Sequence, residues 1–147
     1  MKRRIVSIVL LVIILSTLTL AAMAAGNVDN GVMPRYNNTA GTSTNFSIST
    51  TGKATITATY SGIASKTTGA TVTSYIEKRT LRIFWSKVDI GQPNNEWVDT
   101  SSDYTDVFVH EFYLSSTGTY RAKVVYEISG TGGATDVINY DQERTYS

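Results

Sequence analysis

Lys53-Ala54-Thr55-Ile56-Thr57-Ala58-Thr59-Tyr60 alternates without a break. In an extended chain successive side chains point to opposite faces. Ala54, Ile56, Ala58 and Tyr60 therefore share one face, and Lys53, Thr55, Thr57 and Thr59 share the other. One apolar face and one wetted face is the pattern of an antiparallel strand that covers a core on a single side.

The same period continues on both sides of this stretch. Before it, Thr44 to Thr50 sets Phe46 and Ile48 against Asn45, Ser47 and Ser49, and Thr51-Gly52 makes a turn. After it, Ser61-Gly62 closes the strand, and a polar loop through Lys66-Thr67-Thr68-Gly69 leads to Ala70-Val72-Ser74-Ile76, interleaved with Thr71, Thr73, Tyr75 and Glu77. Thr80 to Val88 is dense in apolar residues, with Leu81, Ile83, Phe84 and Trp85, and reads as a strand with a bulge or two buried faces. Asp89 to Asp106 is a long polar connection. Val107 to Leu114, Thr119 to Ile128 and Thr135 to Tyr146 supply three more strands, separated by Ser115-Ser116-Thr117-Gly118 and Gly130-Thr131-Gly132-Gly133. Turn signals at this spacing predict an all-β antiparallel sandwich of about seven to eight strands, and no segment sustains a helical period.

The N-terminus carries a different message. Lys2, Arg3 and Arg4 precede an apolar run from Ile5 to Leu15, and Ala22-Met23-Ala24 is a small-x-small pattern of the kind signal peptidase reads. Residues 1–25 are therefore expected to be a signal peptide, cleaved or retained as an anchor. Residues 26–43, rich in Asn, Gly, Pro and Thr, are expected to be a flexible leader, and residues 44–147 a single β-sandwich domain. The product would be secreted, extracellular or associated with the cell envelope, touching a membrane only through the signal peptide before cleavage. The chain has no cysteine, so neither a disulfide framework nor a cysteine-linked lipid can form. Removing residues 1–25 takes three of the thirteen basic residues and none of the twelve acids, so ten bases face twelve acids and the net charge falls from +1 to −2. Nucleic acid is not an expected partner of such a balance.

Ser116-Thr117-Gly118-Thr119-Tyr120-Arg121-Ala122 resembles the approach to strand F of immunoglobulin-like domains, where a tyrosine two residues before the second cysteine bonds back across the corner. The resemblance implies an immunoglobulin-like sandwich with Tyr120 as the corner tyrosine and Ala122 in the cysteine's place. Trp85 would be the buried core tryptophan, with Ala58 or Val72 opposite Ala122. Trp85 through Asp89, Gly91 through Trp97, and Ile128 through Ala134 also look like a family of small secreted proteins of Gram-positive bacteria of unknown function, which implies no activity.

Candidate chemistry is sparse. His110 is the one histidine, flanked by Phe108, Glu111 and Phe112, and stands in no nucleophile motif; it reads as a structural or surface residue. Asp99, Asp103 and Asp106, with Ser101 and Ser102, offer hard oxygens for calcium, or else a solvated loop, and their spacing matches no calcium-loop motif. Gln92, Asn94 and Asn95 beside Trp97 combine planar amides with a flat aromatic that would stack on a sugar, or else Trp97 plugs the end of the core. Thr55, Thr57 and Thr59 read as ordinary solvent-facing strand residues. Gly130, Gly132 and Gly133 lead from strand to strand, with no following helix to make a phosphate cradle, and read as hairpin chemistry. The expected function is a non-catalytic binding or envelope-associated module for a cell-wall polysaccharide or surface protein, with no cofactor. A bacteriocin-like antagonistic factor is the alternative. The ligand and the oligomeric state are not readable from the residues.

Overall fold

The alternating stretch lies in β2 (Lys53–Gly62), the middle of a three-stranded antiparallel sheet between β1 (Thr39–Ile48) and β6 (Thr105–Tyr113). The structure is a computed structural model that describes residues 36–147; the expected signal peptide and residues 26–35 lie outside the described residues. A second antiparallel sheet sets β3 (Thr67–Thr80), β7 (Gly118–Gly130) and β8 (Asp136–Tyr146) side by side. β4 (Phe84–Lys87) and β5 (Trp97–Ser101) occupy successive stretches of the free edge of β3. The sole helical feature among the described residues is a 3-10 turn at Pro93–Asn95.

The inward faces meet in one core. β2 contributes Ala54, Ile56, Ala58 and Tyr60, β3 contributes Val72 and Ile76, and β7 contributes Tyr120, Ala122, Val124, Tyr126 and Ile128. Each fully buried aliphatic or aromatic side chain is worth about 1.5–3 kcal/mol relative to exposure, which is how a domain without disulfides stays folded. The order β1-β2-β6 against β4-β3-β7-β8 is an immunoglobulin-like sandwich, with β3, β7 and β8 in the places of strands C, F and G. Tyr120 makes the corner bond, its hydroxyl donating to Ser116 O at 2.6 Å, and Ala122 is buried two residues on. Ala58 and Ala122 enter the core from opposite sheets, whereas Val72 shares the sheet of Ala122 and pairs with Tyr126.

Four expectations are corrected. Trp85 is not the core tryptophan: it pairs with Arg79 at the sheet edge, and Ile76 stands beside Ala122 instead. The apolar run Leu81-Arg82-Ile83 is the exposed tip of the β3–β4 hairpin and not a core strand. Trp97–Ser101, expected within a loop, is a strand. The sandwich starts before Thr44, because β1 begins at Thr39 and residues expected in a flexible leader are tied down. Asp136 accepts from the backbone N–H of Asn37, Asn38 and Thr39 at 2.9, 2.8 and 3.0 Å and from Thr39 Oγ1 at 2.9 Å. Burial pushes the Asp136 carboxyl up, but these four donors outweigh it and hold its pKa below the ordinary value. Gly130 and Gly132 permit this docking: a Cβ at either would meet Lys66 O or Asn37 O at about van der Waals overlap, 2.2 and 2.1 Å away.

Candidate functional site

Gly91 and Pro93 shape the loop between β4 and β5. Gly91 takes φ 72, and Pro93 opens the 3-10 turn, where its missing N–H costs nothing. Asn94 and Asn95 both take φ 56, a region that asparagine tolerates better than most residues. The Asn95 side chain is spent inside the loop, its Oδ1 accepting from Ile90 N at 3.3 Å. Gln92 and Asn94 remain exposed and, with Pro93, Glu96 and Val98, line an open cleft of about 370 Å³.

Trp97 is separated from that cleft. Strand alternation turns it inward, where it packs on the core and stacks on His110 with centroids 4.8 Å apart and planes 5° apart. Asp99, on the same side of β5, holds His110 Nε2 at 2.6 Å. The three side chains join β5 of one sheet to β6 of the other and close that flank of the sandwich. Trp97 therefore does the plugging work, and of the four residues expected to bind ligand the structure brings only Gln92 and Asn94 to the cleft. The three aspartates do not converge. Asp99 serves His110, the Asp103 carbonyl accepts from Tyr60 Oη at 2.7 Å, and Asp106 caps Val107 N at 2.8 Å. Among the described residues no three His, Cys, Asp or Glu side chains gather as a metal site. The threonine row of β2 is flanked in register by Ser43, Asn45 and Ser47 on one side and by Val107, Val109 and Glu111 on the other, so no regular threonine array forms.

Sequence reasoning missed the outer face of the larger sheet. Register places Lys87, Glu77, Arg121 and Glu143 across four strands in one row. Arg121 Nε donates to Glu77 at 2.5 Å, and Arg79 donates to Glu143 at 2.7 Å. The guanidinium carbons of Arg79 and Arg121 lie 4.6 and 4.3 Å from the Trp85 ring centroid. Beside this row, Tyr75, Lys123, Val125, Asn139 and Asp141 line a second hollow of about 260 Å³. The two hollows are linked: Lys87 Nζ lies 4.5 Å from the Tyr75 ring centroid and donates to Glu96 at 2.5 Å, on the wall of the first. The Glu96 bond holds the Lys87 ammonium above its ordinary pKa, and burial raises that of the Tyr75 phenol. At neutral pH the link is a cation between an aromatic face and a carboxylate. Its residues stand far apart along the chain, and their conjunction exists only once strand register is known.

This is an immunoglobulin-like sandwich whose larger sheet presents a mixed aromatic, amide and charged surface. In comparisons with family models, curated proteins and solved structures, no match to this chain was found. No helix among the described residues is long and apolar enough to cross a membrane.

Proposed function

We propose that this chain is a secreted, non-catalytic binding module of the cell envelope that takes a surface polysaccharide on the outer face of its larger sheet. The observation that carries the reading is the continuous file Tyr75–Lys87–Glu96 joining two open hollows. Aromatic faces stack on sugar rings, while amide and charged groups such as Asn94, Gln92, Asn139 and Asp141 bond hydroxyls. A shallow face of this kind fits an extended polymer better than a small molecule that must be enclosed. The signal peptide expected from Lys2 to Ala25 agrees with it.

The test is retention of the chain from Gly26 on purified Gram-positive cell walls, with and without their attached glycopolymers. Retention that needs the glycopolymers and falls in Tyr75→Ala and Asn94→Ala is the expected result. Equal retention by both variants would remove the site assignment, and no retention on either preparation would turn the search to surface proteins.

A further inference from the structure

The β3–β4 hairpin carries three features that ordinary folding does not require. Its tip is apolar and out in water: Leu81 is 84% exposed, Ile83 71% and Phe84 57%. Its backbone is costly, because Leu81 at φ 48 and Arg82 at φ 65 sit in the left-handed region, where glycine or asparagine would be far cheaper. Its charge is one-sided. Of the charged residues in 77–87, Arg79, Lys87 and Glu77 are paired with Glu143, Glu96 and Arg121, which leaves two cations, Lys78 and Arg82, and no acid outside an ion pair among the described residues.

We infer that this hairpin is a membrane-contact device whose apolar tip enters the surface of an anionic phospholipid bilayer. Leu81, Ile83 and Phe84 offer no hydroxyl-bonding group to a polysaccharide, but their side chains suit the boundary between headgroups and acyl chains. Trp85 follows at the next ladder position, paired with Arg79, which sets an amphipathic ring at headgroup depth. Arg82 takes no part in any ion pair among the described residues, so its charge is free to meet lipid phosphate. The left-handed turn gives the arrangement its purpose: it holds a leucine and an arginine at the point where a turn built for stability alone would place neither. Membrane contact then extends beyond the signal peptide to the folded domain. The inference is independent of the polysaccharide reading, because lipid vesicles carry no wall.

The experiment is co-sedimentation of the chain from Gly26 with vesicles of phosphatidylglycerol and phosphatidylcholine, against vesicles of phosphatidylcholine alone. Tryptophan emission is read in parallel. The protein binds the anionic vesicles, with a blue shift that Trp85→Phe removes, since Trp97 is already packed against His110. Leu81→Asp and Ile83→Asp each weaken binding about tenfold through lost apolar insertion, and Arg82→Gln weakens it about fivefold. All four variants keep the far-UV spectrum of the parent, because the altered groups lie outside the core. Absence of binding to anionic vesicles, equal binding to neutral ones, or undiminished binding by both aspartate variants would overturn the inference.

Discussion

Ser74 stands in the middle of the core with a hydroxyl that finds no hydrogen-bond partner among the described residues. Its neighbours across the ladder are Trp97 and Val124, neither of which offers an acceptor side chain. An unpaired buried polar group costs about 1–3 kcal/mol, so Ser74→Ala is expected to raise stability by about 1 kcal/mol in denaturant titration. Asp136 is the opposite case, a buried carboxylate with every visible donor aimed at it. Removing it in Asp136→Ala orphans three backbone N–H groups and is expected to cost about 3 kcal/mol. Because its folded pKa is depressed, its contribution is fully present above the ordinary value near 3.8 and is lost as pH falls through the lower folded value. The stability gap between the parent and Asp136→Asn should therefore hold at neutral pH and close on acidification below that ordinary value; a gap unchanged by acid would deny the carboxylate this role. Nothing local in the sequence marks Asp136, since its partners lie 97 to 99 positions earlier.

Elements whose inward face meets the core announce themselves, and those that meet something else do not. β2 and β7 alternate apolar with polar because one side is packed and the other is wet. β5 inverts the rule: its inward side carries Trp97, Asp99 and Ser101 while Val98 points to solvent, because its inner neighbour is His110 at the flank and not the aliphatic core. It therefore reads as loop. β8 does similar work at the opposite flank. Asp136 reaches the residues entering β1. Tyr140 Oη meets Thr42 Oγ1 at 3.0 Å, and Gln142 both accepts from Phe46 N and donates to Thr44 O. These side chains occupy the free backbone edge of β1, which would otherwise be open to pairing with another chain. The flank closed by Trp97 makes a sharp contrast with the open cleft lined by Gln92 and Asn94. Trp97→Ala should lower stability by about 3 kcal/mol, whereas Gln92→Ala, at an exposed residue with ordinary extended backbone, should leave thermal unfolding unchanged, which calorimetry of the two variants separates. At the β3–β4 turn the misleading signal was apolar density, which marks a core strand in most contexts and an exposed tip here. Replacing Leu81-Arg82 by Asn-Gly suits the left-handed backbone and is expected to raise stability by about 1 kcal/mol, measured by thermal melting.

For the whole molecule, a period of two, evenly spaced turns and a lone corner tyrosine were enough to reach an immunoglobulin-like sandwich, because each is imposed by the two-layer core itself. The outer face of the larger sheet was out of reach for a reason of the same kind. Tyr75, Lys87, Glu96, Lys123 and Asp141 are separated by turns and strands, and register alone brings them together. The domain boundary was misplaced because Asn37, Asn38 and Thr39 have loop composition yet are fastened by a residue at the other end of the chain. That fastening makes folding depend on both ends at once. Tyr36–Ser147 forms one compact unit, and a chain of those residues should unfold in a single cooperative transition. A chain beginning at Thr44 keeps every apolar residue of the core cluster but loses the first five residues of β1 and all the donors to Asp136, leaving a buried carboxylate without partners. It should lose several kcal/mol and show a broad or absent transition by near-UV circular dichroism. Matching transitions for the two chains would mean that the apolar core alone specifies the fold, and that the tether between Asp136 and β1 is dispensable.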